Sequence, residues 1–369
     1  MTVLSDYIPN ILLAVYLLLH FLLLIGLLIN TRKVKRSAYE PAVSVVICAK
    51  DEEASIESCI ISLLELNYPK EKLEVILVND RSADRTKEIM LKYVNANKCL
   101  KYLEITSQLG EMKGKTNALA QALKHATGEV IFTTDADIEV NKNWISRMLD
   151  YYDAKTGVAA GYSVIVPEGF FYNLQSADWL YLLSVASGGD GIGIPISCVG
   201  NNMSYRKSAY DETGGYEKIK FSITEDFMLL QKIHKDSSFK KTAFPVDDET
   251  KNITLPCLNL TQLFRQKKRW ALGGMGEFNM GIVVGILSWL TGAVILSGWA
   301  FMSFQSYLFF FIVKMIFDSV FLFPAVKEFK MYKVYLFMPL FEIYFAVYVL
   351  ITSVLLALDR KVIWKDQKI

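Results

Sequence analysis

The chain of 369 residues carries 40 lysines and arginines against 38 aspartates and glutamates, a net charge of +2 that makes no electrostatic case for nucleic acid. Hydrophobic residues make up 52% of it, high for a soluble enzyme, with the excess gathered at residues 8–30 and 280–358. Its five cysteines, Cys48, Cys59, Cys99, Cys198 and Cys257, have neither metal-ligand spacing nor the clustering of a disulfide framework, which fits a reducing compartment.

The first element is apolar. Residues 11–29, ILLAVYLLLHFLLLIGLLI, contain fifteen Leu, Ile, Val or Phe. At roughly −0.3 to −0.6 kcal/mol each near a bilayer centre, these outweigh the lone polar His20. A cleavable signal peptide would want basic residues before a shorter apolar run. Here Arg32, Lys33, Lys35 and Arg36 follow it and only Asp6 precedes it. The positive-inside rule therefore predicts a membrane helix over 8–30, its N-terminus outside and a domain over 41–257 in the cytoplasm.

From Val43 the pattern alternates. VSVVICA (43–49) is a continuous β-branched run, as expected of a strand covered on both faces. KDEEASIESCIISLLEL then places Ile56, Ile60, Leu63 and Leu64 at helical spacing behind acidic residues that suit a helix start. A second strand, LEVILVND (73–80), ends in Asp80, and a helix over 83–94 and a short strand over 101–105 follow. The turn GEMKGK leads into a helix over 116–126, and EVIFTTDAD (129–137) reads as the next strand. Such alternation predicts an open α/β sheet with a ligand crevice at the strands' carboxyl ends, where Asp80, Asp135 and Asp137 fall.

Asp135 and Asp137 are the sharpest chemical signal. Side chains two apart on an extended segment point to the same side, so both carboxylates can address one ligand. Oxygen pairs suit Mg²⁺ or Mn²⁺, which bind through one or two carboxylates plus substrate phosphates. A turn or cap is the plainer reading of the same residues. Lys113 and Lys115 flank Gly114 before a helix, either an anion site or a solvated loop. Thr224-Glu225-Asp226 precedes the run FMLLQKI and reads as a helix cap or as a general base for an acceptor hydroxyl.

Residues 258–279 form a basic amphipathic segment holding Gln266-Lys267-Lys268-Arg269-Trp270, which suits a membrane interface with tryptophan at headgroup level. Three apolar spans follow, near 281–299, 303–325 and 333–358. The basic loop Lys327, Lys330, Lys333 agrees with a cytoplasmic connection, whereas the tail Arg360, Lys361, Lys365, Lys368 would end outside against the charge rule, unless Pro339 and Glu342 make the last segment re-entrant. Lys314 and Asp318 stand one helical turn apart, an i,i+4 pair that neutralises itself or an intramembrane functional site. Glu342 has no local partner in the sequence.

The order of these motifs resembles the membrane-integrated members of glycosyltransferase family 2, which include ceramide glucosyltransferases and the polysaccharide synthases. The resemblance runs from Val43 to Trp270 and extends to the flanking helices. It implies a GT-A fold, a Rossmann-like mixed sheet in the cytosol, with one N-terminal and about three C-terminal transmembrane helices. It implies Glu52 and Asp80 at the nucleotide, although Asp51 stands where the family has asparagine. Lys115, Asp135, Gln266, Arg269 and Trp270 are implied near the diphosphate, Asp137 with Asp135 at a Mg²⁺ or Mn²⁺ ion, and Asp226 as base. Gly200, Asn201, Asn202, Glu225 and Trp270 are implied on the acceptor side. The implied activity is inverting transfer from a UDP- or GDP-linked sugar to a lipid or glycan acceptor, at a bacterial inner (cytoplasmic) membrane. A single transfer to lipid is expected over a processive polysaccharide synthase because four spans are few for a channel, and an inactive scaffold is disfavoured by the intact acidic positions.

Overall fold

The computed structural model describes residues 2–166, 168–219, 222–274, 279–358, 363–364 and 367–368. The chain divides into two units, one of Met1–Thr31, Ile165–Ile196 and Pro256–Ile369, the other of Arg32–Val164 and Ser197–Leu255. In chain order the elements begin with α1 (Thr2–Asn30), β1 (Val43–Ala49), α2 (Ile56–Leu64), β2 (Leu73–Asn79), α3 (Thr86–Ala96), β3 (Leu100–Glu104) and α4 (Gly114–Leu123). There follow β4 (Val130–Asp135), β5 (Ile138–Glu139), α5 (Trp144–Leu149), β6 (Thr156–Ala160), β7 (Ser163–Ile165), α6 (Phe170–Gly191), β8 (Met203–Arg206) and α7 (Lys207–Glu212). The last are α8 (Glu225–Asp236), β9 (Lys241–Ala243), β10 (Asn252–Thr254), α9 (Leu260–Gly274), α10 (Met280–Ser297), α11 (Phe304–Phe329) and α12 (Met338–Leu358).

The second unit is built on a seven-stranded mixed sheet of order β3-β2-β1-β4-β8-β6-β9. Strands β3, β2, β1 and β4 run parallel, and β8 is antiparallel to both β4 and β6. Alternate residues of the central strands, Val45 and Ile47, Val75 and Leu77, Val130 and Phe132, enter one core with Ile60 and Leu63 of α2 and Trp144 of α5. Their burial matches the apolar runs in the sequence. At the amino ends of the strands the buried Glu74 carboxylate accepts from the Ser44 hydroxyl, from Thr127 N–H at 2.5 Å and from Lys101 Nζ at 2.5 Å. Burial opposes its ionisation, but these donors more than offset that and bring its pKa down to about 2.

The expected strand over 129–137 is shorter. It ends at Asp135, and Asp137 lies in a two-residue turn before β5. The carboxylate pair is therefore not aligned by strand pleat, as the spacing had implied; the turn brings the side chains together instead. Arg36 of the basic cluster also differs from a purely topogenic charge. Its guanidinium pairs with Asp150 at 3.2 Å and Glu249 at 2.5 Å.

Among its described residues the other unit holds four helices long and apolar enough to cross a membrane, spanning Asp6–Asn30, Met280–Ala300, Phe304–Phe329 and Tyr332–Leu358. Pro339 falls in the first turn of α12, where a missing N–H costs nothing, so the helix runs unbroken to Leu358. The tail cations Arg360, Lys361 and Lys365 lie outside the described residues.

A fifth long helix, α6, was not foreseen in the sequence. It packs on α1 through glycines: a Cβ on Gly26 would lie 1.9 Å from the Gly188 carbonyl oxygen, and one on Gly191 would lie 2.0 Å from that of Gly26. Small residues at such crossings let helix backbones touch, the usual device where lipid leaves packing to drive association.

The charges inside these helices find each other. Lys314 Nζ lies 2.8 Å from Asp318 Oδ2 and 2.5 Å from Glu342 Oε2. The Tyr16 hydroxyl donates to Asp318 Oδ1 at 2.8 Å, and His20 Nε2 lies 2.6 Å from the Tyr181 hydroxyl. The self-neutralising pair is thus a triad across two helices, and Glu342 finds its partner in Lys314.

Candidate active site

The strand register sets the site. Cys48 at the end of β1 pairs across the sheet with Asp135 of β4 and with Val78 of β2, two residues before Asp80. The Cys48 thiol reports the convergence: burial pushes its pKa far up, Lys115 opposes, and Asp80, Asp135 and Glu225 push further. Four of the sequence-predicted residues therefore gather around one strand end.

Two loops beyond β1 and β2 interlock. Asp51 has φ +53° and Arg81 φ +59°, the left-handed region that Asn and Asp tolerate best among residues with a Cβ. The Asp51 carboxylate accepts from Ala83 N–H at 2.7 Å, and Asp51 N–H donates to Ser82 Oγ at 3.1 Å. Glu52 N–H donates to Thr86 Oγ1 at 2.7 Å, and its carboxylate accepts from Ser55 Oγ at 2.9 Å.

Asp80 is buried, and Arg81 holds its Oδ1 from Nη2 at 2.7 Å and from Nε at 2.9 Å. Its Oδ2 is buried with no protein donor. A buried acceptor left bare costs about 1–3 kcal/mol, which a ligand N–H or O–H would recover. The adjacent arginine is a partner that sequence reasoning missed, although the Asp-Arg dipeptide was visible.

Gly114 opens α4 at φ +52°, a conformation closed to most side chains, and this turn delivers Lys115 into the site. Lys115 Nζ lies 2.5 Å from Asp135 Oδ1 and 3.4 Å from Glu225 Oε1. Burial alone would discharge the ammonium, but Asp135 and Glu225 hold its pKa well above the usual lysine range. Lys113 caps α4 without a side-chain bond. Asn117, unassigned from sequence, ties the preceding loop by accepting from Leu109 N–H and donating to Ser107 O.

With Asp135 tied to Lys115, Asp137 is the freer carboxylate. Burial, Asp135 and Glu52 push its pKa up to about 7. Among the described residues no three His, Cys, Asp or Glu side chains form a metal shell. An oxygen-only pair under mutual repulsion fits a cation of the Mg²⁺ or Mn²⁺ type, which completes its shell with water and phosphate.

Glu225 and Asp226 form the first turn of α8, so the candidate base sits at a helix start. Asp226 Oδ2 accepts from Gly200 N–H at 2.6 Å and Oδ1 from Phe227 N–H at 2.8 Å. Burial and the Glu225 charge raise its pKa to about 6, against the pull of Lys115 and the two N–H donors. A Cβ on Gly200 would sit 3.1 Å from that of Asp226, so glycine permits the approach. Asn201 is held through its carbonyl by Thr134 and through Oδ1 by Ser163. Asn202 is fully buried, its amide donating to Tyr162 O and Thr250 O and its Oδ1 accepting from Trp144 Nε1, so this side chain braces the scaffold.

Gln266, Arg269 and Trp270 lie on α9 of the other unit. The Trp270 ring stacks on Trp179 with centroids 4.7 Å apart and planes 25° apart. Lys267 is the buried member of the motif.

The profile of glycosyl transferase family 2 matches residues 44–214, and that of glycosyl transferase family group 2 matches residues 130–358. The chain belongs to glycosyltransferase family 2. It is 29% identical over 246 residues to a β-monoglucosyldiacylglycerol synthase of Trichormus variabilis, covering 64% of this chain and 50% of that protein. It is 25% identical over 236 residues to a poly-β-1,6-N-acetyl-D-glucosamine synthase of Staphylococcus aureus, covering 63% and 54%. This family 2 chain therefore spans about half the length of these curated relatives. Its fold resembles that of a mannosyltransferase from Pyrobaculum calidifontis solved with GDP-Man and Mn²⁺, with TM-score 0.64 and 17% identity over 95% of this chain and 98% of that one. The mixed sheet is of GT-A type.

Proposed function

We propose that this family 2 glycosyltransferase moves a sugar from a UDP- or GDP-linked donor to a lipid hydroxyl at the cytoplasmic face of a membrane, with inversion. The observation that carries the reading is Asp226: a half-buried carboxyl with both oxygens oriented by backbone N–H groups and its pKa raised to about 6. That value suits a general base near neutral pH. Asp226 takes the acceptor proton as the acceptor oxygen bonds the anomeric carbon and the bond to the nucleotide diphosphate breaks on the opposite face. Asp80 Oδ2 accepts from the nucleoside, and Glu52 supports the same loop. Asp137 with Asp135 would hold Mg²⁺ or Mn²⁺, which when bound neutralises charge on the leaving diphosphate. Lys115 balances the carboxylates beside it.

Lipid is favoured over polymer by the likeness to the glucosyldiacylglycerol synthase and by the four apolar helices, whose buried charges are paired with one another. Cytoplasmic placement rests on the Arg32–Arg36 cluster. Purified protein, radiolabelled nucleotide sugars and a panel of membrane lipids provide the test. Label in a discrete lipid, lost in Asp226→Asn by on the order of 10²-fold or more, is expected. A water-soluble size ladder would replace the lipid reading with a processive one, and Asp226→Asn at wild-type rate would end the assignment of the base.

A further inference from the structure

Helix α9 is held to α6 and α12 of its unit around Lys267, its buried cation. Lys267 Nζ forms a buried ion pair with Asp178 Oδ2 of α6, and the Tyr348 hydroxyl of α12 donates to Asp178 Oδ1 at 2.6 Å. The same ammonium stands 4.7 Å from the Trp270 ring centroid and 4.8 Å from that of Tyr348. Two adjacent residues of α6, Asp178 and Trp179, thus grip an i,i+3 pair of α9, Lys267 and Trp270: charge on charge, indole on indole.

Helical geometry turns this into a constraint. At about 100° per residue, Gln266, Arg269 and Trp270 share an arc of about 100°, and Lys267 lies just outside its Trp270 edge. Fixing Lys267 inward therefore fixes where that arc looks. A pair of buried charges is an expensive way to hold two helices together; apolar side chains of similar size do it as well or better, whereas charged partners accept fewer geometries.

We propose that Asp178 and Lys267 are positioning residues of the transfer reaction: their ion pair, braced by Tyr348, sets the rotation of α9 and hence the presentation of Gln266, Arg269 and Trp270. The inference rests on the transferase reading for its consequence, but the lock itself is readable without catalysis.

The test compares wild type, Lys267→Arg, Lys267→Met and the double variant Asp178→Leu with Lys267→Leu, which removes both charges without stranding either. Stacked indoles give a coupled near-ultraviolet circular dichroism band, assigned here by its loss in Trp179→Phe. The double variant is expected to fold and insert, to lose that band, and to fall by about 10²-fold in kcat for transfer, the scale of a 1 Å misplacement. Lys267→Arg retains more activity than Lys267→Met. A folded double variant that keeps the coupled band overturns the lock whether or not an acceptor has been found. One that loses the band yet transfers at wild-type rate overturns the positioning role alone. A wild type that transfers to nothing, with the band lost in the double variant, upholds the lock and fails the transferase reading instead.

Discussion

Removing the Lys115 ammonium tests whether the carboxylates of the site act as one electrostatic unit. Its separations of 2.5 Å from Asp135 and 3.4 Å from Glu225 correspond to attractions of about 7 and 5 kcal/mol at an effective dielectric of about 20, before desolvation is subtracted. The pair is only half-buried, so breaking it costs less than the about 3–5 kcal/mol of a fully buried one, and Lys115→Met should be slightly less stable but still folded. The sharper effect falls on Asp226, whose pKa of about 6 already includes the opposing pull of Lys115. Losing a nearby cation raises a carboxyl by roughly one unit, or about 1.4 kcal/mol. A base works only when ionised, so kcat/KM should climb as pH rises through about 6 in the wild type and nearer 7 in Lys115→Met. The assay is lipid-linked product formation from pH 5 to 9 at saturating metal. Lys115→Arg, which keeps the charge, should leave the climb where it is. A Lys115→Met protein whose rate drops at every pH with the climb unmoved would refute the coupling.

Other outcomes follow from the same geometry. Because the Asp137 pKa stands at about 7 beside Asp135 and Glu52, loading Mn²⁺ below that pH should release close to one proton, measurable by calorimetry in buffers of different ionisation enthalpy; Asp137→Ala should abolish both the release and transfer. A chelator should stop transfer, and added Mg²⁺ or Mn²⁺ should restore it. Glu74 is held at about 2 against its usual 4.5, so it stabilises the fold above about pH 4.5 and that contribution fades as pH falls toward 2. Discounted for screening, Glu74→Gln should cost about 2 kcal/mol at pH 7 in denaturant melts and under half of that at pH 3. Gly26→Ala places a methyl 1.9 Å from the Gly188 carbonyl and should cost about 3 kcal/mol of helix packing, read as a lowered melting temperature in detergent.

Much of this was legible because two periodicities are hard to disguise. The β-branched runs of β1, β2 and β4 and the long apolar segments announce a covered sheet and membrane helices from composition alone. Asp80 and Asp135 fall at strand ends for the same reason. What stayed hidden depends on contacts between distant residues. Asp137 required knowing where β4 stops, and pattern cannot place a turn inside TTDADI. Helix α6 is nearly buried all round, so it lacks the polar face that marks a helix, and the glycines that seat it on α1 mean nothing until the two backbones meet. Lys267 looked like one more cation in a basic stretch, because Asp178 lies far away in sequence.

The Lys314–Asp318–Glu342 triad bears on how the protein is made. Helix α11 carries both signs of charge one turn apart, so it can leave the insertion machinery already neutralised. Helix α12 arrives later with Glu342 alone, at a penalty of order 3 kcal/mol for a lone carboxylate near mid-bilayer. Its relief waits on docking to Lys314. Docking of α12 on α11 is therefore the step that buries Glu342 together with its counter-charge.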